Sequence, residues 1–126
     1  MRNNQPVTQH EYDFPADETL LSTTDTAGRI TYANAAFIRV SGFDLEELQR
    51  KAHNIVRHPD MPAEAYADMW RSLKAGRAWT AVVKNRRKNG DHYWVNANAA
   101  PMYRGGSLVG YLSVRTRPSR ADINAA

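Results

Sequence analysis

The sequence predicts an α+β fold: a five-stranded antiparallel sheet with short helices and one longer helix covering one of its faces. Three observations carry this. Apolar residues recur with a period of two near the start and end of the chain and with a helical period between them. Hairpin turn chemistry, strongest at Asn89-Gly90, joins neighbouring alternating runs. And five antiparallel strands interrupted by helices must bury one sheet face against those helices, which leaves room for a cavity between the two layers.

Taken in order, residues 1 to about 18 are polar and acidic around Glu11, Asp13, Asp17 and Glu18 and show no periodicity; they read either as a mobile arm or as a loosely packed cap. Leu20 to Thr24 reads as a strand, Asp25-Thr26-Ala27-Gly28 as a turn, and Arg29 to Ala33 as the returning strand. Asn34 stands where a helix cap belongs, ahead of Ala35 to Val40, and Gly42 ends that short helix. Asp44 and Glu47 fit a capping box, with Phe43 and Leu48 as its staple, so a second helix is expected from Leu45 to about Lys51. Pro62 suits a helix start, and Tyr66, Met69, Trp70 and Leu73 form the apolar stripe of the longest helix before Gly76 closes it.

From Ala78 the period becomes two. Trp79, Ala81, Val83 and Asn85 share one face of a strand, and Thr80, Val82 and Lys84 share the other. The chain turns at Asn89-Gly90, returns from Asp91 to Met102, and turns again at Arg104-Gly105-Gly106-Ser107 into a last strand from Leu108 to Thr116. The expected organisation is an arm or cap over 1–18, a globular domain over 19–117 and a linker over 118–126.

Composition narrows the function classes. With 126 residues, 42% of them apolar, the chain builds one core and not two ordinary domains. It has no cysteine, which excludes disulfides, thiolate metal ligands and covalent chemistry at sulfur. The net charge of +4 comes from thirteen arginines and four lysines that are scattered, apart from Arg86-Arg87-Lys88 at a turn, so nucleic acid is not an expected partner. No apolar run reaches membrane-spanning length and Met1 to Gln5 lacks a secretory apolar core, which implies a cytoplasmic segment without membrane contact of its own. A place at the amino-terminal end of a longer membrane receptor stays open. Neither a catalytic triad, nor a paired carboxylate site, nor a phosphate-cradling glycine loop is evident, so no enzyme activity is expected.

The most informative stretch is His53 to Pro62, which crowds two imidazoles, a guanidinium and a carboxylate into a segment that Pro59 and Pro62 keep from becoming a long helix. Beside a hairpin of aromatic strands, such hooks suggest a closed pocket for a flat, hydrogen-bonding ligand. A zinc site from His53 and His58 finds no further convergent ligand.

Asp25, Gly28, Arg29, Ile30, Ala33, Asn34, Ala36 and Phe37, with Lys88-Asn89-Gly90 and Pro101, resemble the recurring positions of a PAS domain. More specifically, Val40 through Gly42, His53-Asn54, Val56 through Pro62, Met69-Trp70 and Val83 through Trp94 are similar to the sensing domain of the bacterial aerotaxis receptor family, over about residues 20 to 117. The resemblance implies a noncovalently bound FAD whose redox state is passed to a chemotaxis signalling module. It also implies HAMP and signalling domains as partners, with a homodimer among the expected assemblies and a location at the cytoplasmic face of the inner membrane. It resembles the light-sensing LOV branch of the same fold as well, but there the adduct-forming cysteine falls on Asn54, so adduct photochemistry is excluded.

The same resemblance carries the site residues. Asn85 aligns with an asparagine that holds the flavin ring edge, and its amide offers a donor and an acceptor; the alternative is a surface asparagine. Trp79 packs on the ring or fills the core, and Trp70 joins the cofactor-binding set through the matching Met69-Trp70 pair. Arg57, His58 and Asp60 correspond to positions on which FAD binding in the family depends, and two cations beside a carboxylate suit a pyrophosphate and ribose. The alternative is an ion-paired loop, with Asp60 capping the helix that begins near Pro62. His53 contacts the ring or is structural. Asn34 reaches the cofactor or only caps its helix. Arg115, where LOV domains place a flavin-contacting glutamine, favours an anionic reduced flavin if it faces inward. A heme-binding gas sensor with a histidine axial ligand and a ligand-free interaction module are the alternative functions.

Overall fold

The computed structural model describes residues 7–125; the first six residues of the polar arm, including the stretch read for a secretory signal, and Ala126 lie outside the described residues. Five strands, β1 (Leu20–Thr24), β2 (Ile30–Ala33), β3 (Trp79–Arg86), β4 (His92–Arg104) and β5 (Ser107–Thr116), form one sheet in the order β2-β1-β5-β4-β3. All four pairings are antiparallel, as expected. Between β2 and β3 run α1 (Ala35–Ser41), α2 (Leu45–Leu48), a 3-10 turn at His53–Val56 and α3 (Ala63–Lys74).

The register sets the inner face. Asn85 pairs with Tyr93, Val83 with Val95 and Trp79 with Ala99 across β3 and β4; Ala97 pairs with Arg115 and Ala99 with Ser113 across β4 and β5; Ser113 pairs with Ser22 on β1. Because strand side chains alternate, these residues share one face. Leu20, Ile30, Phe37, Val40, Leu48, Tyr93 and Val95 fill the core at one end of it. Gly110 sits where a side chain does not fit: a Cβ there would lie 2.0 Å from the Thr24 carbonyl oxygen, so β1 and β5 approach closely at this point.

The helix ends follow their local chemistry. The Phe37 amide donates to Asn34 Oδ1 at 2.9 Å, and Gly42 takes a left-handed φ of 78° that a side chain would disfavour. At the end of α3, Gly76 donates to Leu73 and Arg77 to Ser72, the paired bonds of a Schellman motif. The capping box at Asp44 and Glu47 forms, with the Asp44 amide donating to Glu47 Oε1 at 3.0 Å.

One expectation is corrected, and two segments gain detail. The second helix stops at Leu48 instead of Lys51, because Arg50 adopts a positive φ of 64° and its amide donates to the Ile30 carbonyl; pairing with β2 takes the backbone away from the helix. The 118–126 stretch, expected as a linker, contains a helix, α4 (Arg120–Ala125). The described part of the arm is packed: Tyr12 donates to the His92 carbonyl, the His92 amide donates to His10, and Phe14 is buried edge-on against Tyr93. Asp13 pairs with Arg117 and Glu11 with Arg120, which joins the arm to the start of α4.

Candidate functional site

A cavity of about 300 Å³ lies between the inner face of the sheet and the segment from the 3-10 turn to α3. Its floor is hollow because Ala97 and Ala99 are small where β4 runs between β3 and β5. Trp79, Val83 and Asn85 line it from β3, Tyr111, Ser113 and Arg115 from β5, and Tyr66, Met69, Trp70 and Leu73 from α3. Trp70 packs edge-on against Tyr111, with ring centroids 5.2 Å apart, and the Trp79 indole donates to Asp68 Oδ2 at 3.0 Å, which ties the edge of β3 to α3. A largely apolar enclosure with a few convergent polar groups is the usual form of a small-molecule site.

Arg115 is the unusual member. Only 2% exposed, it donates from Nη1 to Ser113 Oγ at 2.5 Å and to His53 Nε2 at 3.3 Å, and from Nη2 to Ser22 Oγ at 2.7 Å. Its guanidinium lies 4.4 Å from the centre of the Phe37 ring. Among the described residues no carboxylate pairs with it, and its Nε has no partner. Burial pulls its pKa down to about 10, which still leaves it charged at neutral pH. An isolated buried cation is costly, so this wall favours an anionic or electron-rich guest. Thr24 Oγ1, also at the cavity and buried, lacks a partner as well.

His53 stacks on Phe37, with ring centroids 5.9 Å apart, and its amide donates to the Gly28 carbonyl. Because a guanidinium only donates, His53 Nε2 must accept from Arg115, and the neutral ring carries its proton on Nδ1. Burial, and then the Arg115 charge, push its pKa down to about 3. Asn85, 5% exposed, sits beside the Tyr93 hydroxyl, whose pKa burial drives up. Arg57 lines the cavity and lies 3.7 Å over the Tyr66 ring.

Six of the nine residues expected at the site, His53, Arg57, Trp70, Trp79, Asn85 and Arg115, thus line one cavity. Asn34, His58 and Asp60 do not. The Asn34 amide accepts from Phe37 and from Leu21 and donates to the Thr19 carbonyl, so it caps α1 and fastens that helix to β1. His58 is buried away from the cavity, edge-on to His92, and accepts the Asp60 amide on Nδ1 at 3.0 Å. Asp60 turns outward to Lys84 Nζ at 2.9 Å instead of capping α3, whose N-cap is Pro62 with no side-chain bond. The segment that looked like one anion hook is therefore split: Arg57 faces the cavity, and the two residues close after it face the other way.

The sequence reading missed Ser22, Ser113, Thr24 and Tyr66. Ser113 lies two residues before Arg115 on an alternating strand, a signal sufficient to place it on the same face. Nothing local in the sequence marks Ser22, whose role comes from cross-strand register with Ser113.

Residues 30–115 match the family model for the PAS fold. The chain is 55% identical to the aerotaxis receptor of Escherichia coli strain K12 over 99% of its own length, and spans about a quarter, 25%, of that receptor. It is 31% identical to the nitrogen fixation regulatory protein of Klebsiella pneumoniae over 75% of its length, covering 19% of that protein. In three dimensions it is similar to a light-oxygen-voltage domain studied with a flavin analogue, with a TM-score of 0.74, 26% identity, and coverage of 85% of this chain and 81% of that one. By the family match over residues 30–115 and the 55% identity to the aerotaxis receptor, the chain belongs to the PAS-fold family.

Proposed function

We propose that this chain is the sensing domain of an aerotaxis receptor, holding FAD noncovalently in the cavity and reporting its redox state to HAMP and signalling segments of a longer receptor at the cytoplasmic face of the inner membrane. The observation that carries the reading is the buried, carboxylate-free guanidinium of Arg115 in the wall of a largely apolar cavity, with Asn85 on the same sheet face. A flavin supplies a flat ring with a polar edge and reversible electron transfer. Asn85 offers that edge an amide donor and acceptor. Trp79 and Trp70 exclude water from its faces. Arg57 holds a positive charge at the cavity wall, where it suits a phosphate leading away from the ring. Arg115 stabilises negative charge on the ring, so reduction changes the balance of its bonds to Ser22 on β1 and to Ser113 on β5. That links the cavity to the central strand pair and through it to the rest of the sheet.

Support also comes from the 55% identity to the aerotaxis receptor and from the absence of cysteine in the full sequence, which leaves electron transfer and removes adduct chemistry. No turnover is assigned to the site. The test is direct: purified protein is expected to be yellow, with flavin absorbance, and to release FAD on denaturation, identified by chromatography. A Soret band, or protein that stays colourless after incubation with FAD, overturns the proposal.

A further inference from the structure

Resting on that reading, we propose that His53 is the residue that takes up a proton when negative charge forms in the cavity, so that reduction protonates the protein and leaves the bound ring anionic. Four parts of the fold surround the imidazole. Ser22 from β1 and Arg115 from β5 meet Nε2 at 3.0 and 3.3 Å, Phe37 from α1 covers a face, and the Gly28 carbonyl from the β1–β2 turn takes its amide. The charges that act on it are those of Arg115 and Arg57, both positive. Among the described residues no carboxylate faces it. With two cations and no anion as neighbours, the imidazole has every reason to stay neutral until an anion arrives in the cavity that it lines.

The bond lengths show how the proton site opens. Of the three hydrogen bonds of Arg115, the one to His53 is the longest, at 3.3 Å against 2.5 Å to Ser113 and 2.7 Å to Ser22. Negative charge beside the guanidinium draws Nη1 away from this weakest acceptor first. Ser22 Oγ stays at 3.0 Å from Nε2 and can turn its hydroxyl to accept from a proton there, while the field that kept the ring neutral is cancelled. In the balanced step, an external one-electron donor supplies the electron, which stays on the ring. The proton comes from water, reaches the half-buried imidazole from the cavity side, and ends on Nε2. The net charge of the site is unchanged, which lowers the cost of holding an anion in an enclosed space.

The experiment is a potentiometric titration of the flavin-loaded protein between about pH 5 and 7, beside His53→Gln, whose side-chain oxygen keeps an acceptor for Arg115. For the first electron, the midpoint of the unmodified protein is expected to fall by about 59 mV per pH unit, and that of the variant to be nearly flat. If the variant loses flavin, the reduced-minus-oxidised infrared difference spectrum of unmodified protein with isotope-labelled histidine decides, since imidazolium bands must appear on reduction. Flavin-loaded protein with a flat midpoint and no imidazolium band, or equal slopes in both proteins, overturns the role of His53 and leaves the flavin reading standing. Protein that holds no flavin overturns both.

Discussion

Two histidine-bearing regions on either side of the same short segment are built on opposite electrostatic plans. At the rim, His58 packs on His92, and Asp60 closes the cluster by pairing with Lys84 while its own amide donates to His58 Nδ1. Cation, anion and imidazole compensate one another there, and the backbone of His92 holds the arm through Tyr12 and His10. In the cavity wall, His53 and Arg115 have no carboxylate among the described residues. One region holds its own anion, although His58 Nε2 and His92 Nδ1 are without hydrogen-bond partners; the other lacks an anion. A fold retains an uncompensated buried charge when something else completes it, so the contrast separates structural from binding residues better than burial does, because His58 and Arg115 are each 2% exposed.

The contrast is tested most strongly by acid. The folded-state pKa of His53 is about 3, below its ordinary 6.5, so the unfolded chain binds this proton first. The contribution is fully present above pH 6.5 and is lost as pH falls from there toward 3, reaching about 5 kcal/mol at the limit. Urea unfolding of ligand-free protein at several pH values is expected to show this decline, and His53→Gln to flatten it by about one proton. Burial also lowers the pKa of His58 and His92, so a residual slope of the same sign remains in that variant.

Phe14 measures how far the arm belongs to the complete region. It is buried against Tyr93 within the main core, so Phe14→Ala is expected to cost about 3 to 5 kcal/mol in a denaturant titration. A cost below about 1 kcal/mol means that the arm does not pack in solution. Arg115→Gln separates binding from stability. Relief of the costly buried charge and loss of its bonds to Ser22, Ser113 and His53 oppose each other, so the unfolding free energy is expected to change by no more than about 1 kcal/mol, while flavin affinity falls roughly 10- to 100-fold with the loss of a charge-assisted contact. An unchanged reduction spectrum in this variant defeats the assignment of Arg115 to the ring.

How much of this was legible in the sequence follows from how local each feature is. Strand period, the Asn89-Gly90 turn, the Asn34 cap and the Asp44/Glu47 box are written within a few residues, and each formed. The early end of α2 was not legible, because Ile30 competes for the Arg50 amide across twenty residues. Helix α4 and the packed arm meet through Glu11 and Arg120, and neither partner signals the other in sequence. In the site, alternation on β3 and β5 was enough to bring Asn85 and Arg115 to one face. In the segment after the 3-10 turn adjacency misled, since neighbours in an extended stretch point to opposite sides, and Arg57 parts from His58.

Asp60 gives the smallest effect and the sharpest division between the two plans. As a cofactor ligand, its loss would weaken flavin binding at the cavity directly. As the anion of the rim cluster, it acts on Lys84, His58 and His92, 63% of its side chain is exposed, and solvent screens its pairs. Lys84 holds the Asp60 carboxyl below its usual range, so the pair persists through neutral pH and is lost in acid, where it adds to the decline from the histidines. Asp60→Asn is therefore expected to cost less than about 1 kcal/mol at pH 7 and to leave the unfolding curves of variant and parent converging as the carboxyl protonates. Flavin affinity in Asp60→Asn is expected to stay within about threefold of the parent, a change of less than 1 kcal/mol. Affinity lost tenfold with stability intact would move Asp60 from the rim to the ligand, and the division drawn between the two histidine regions would have to be redrawn through the middle of the segment.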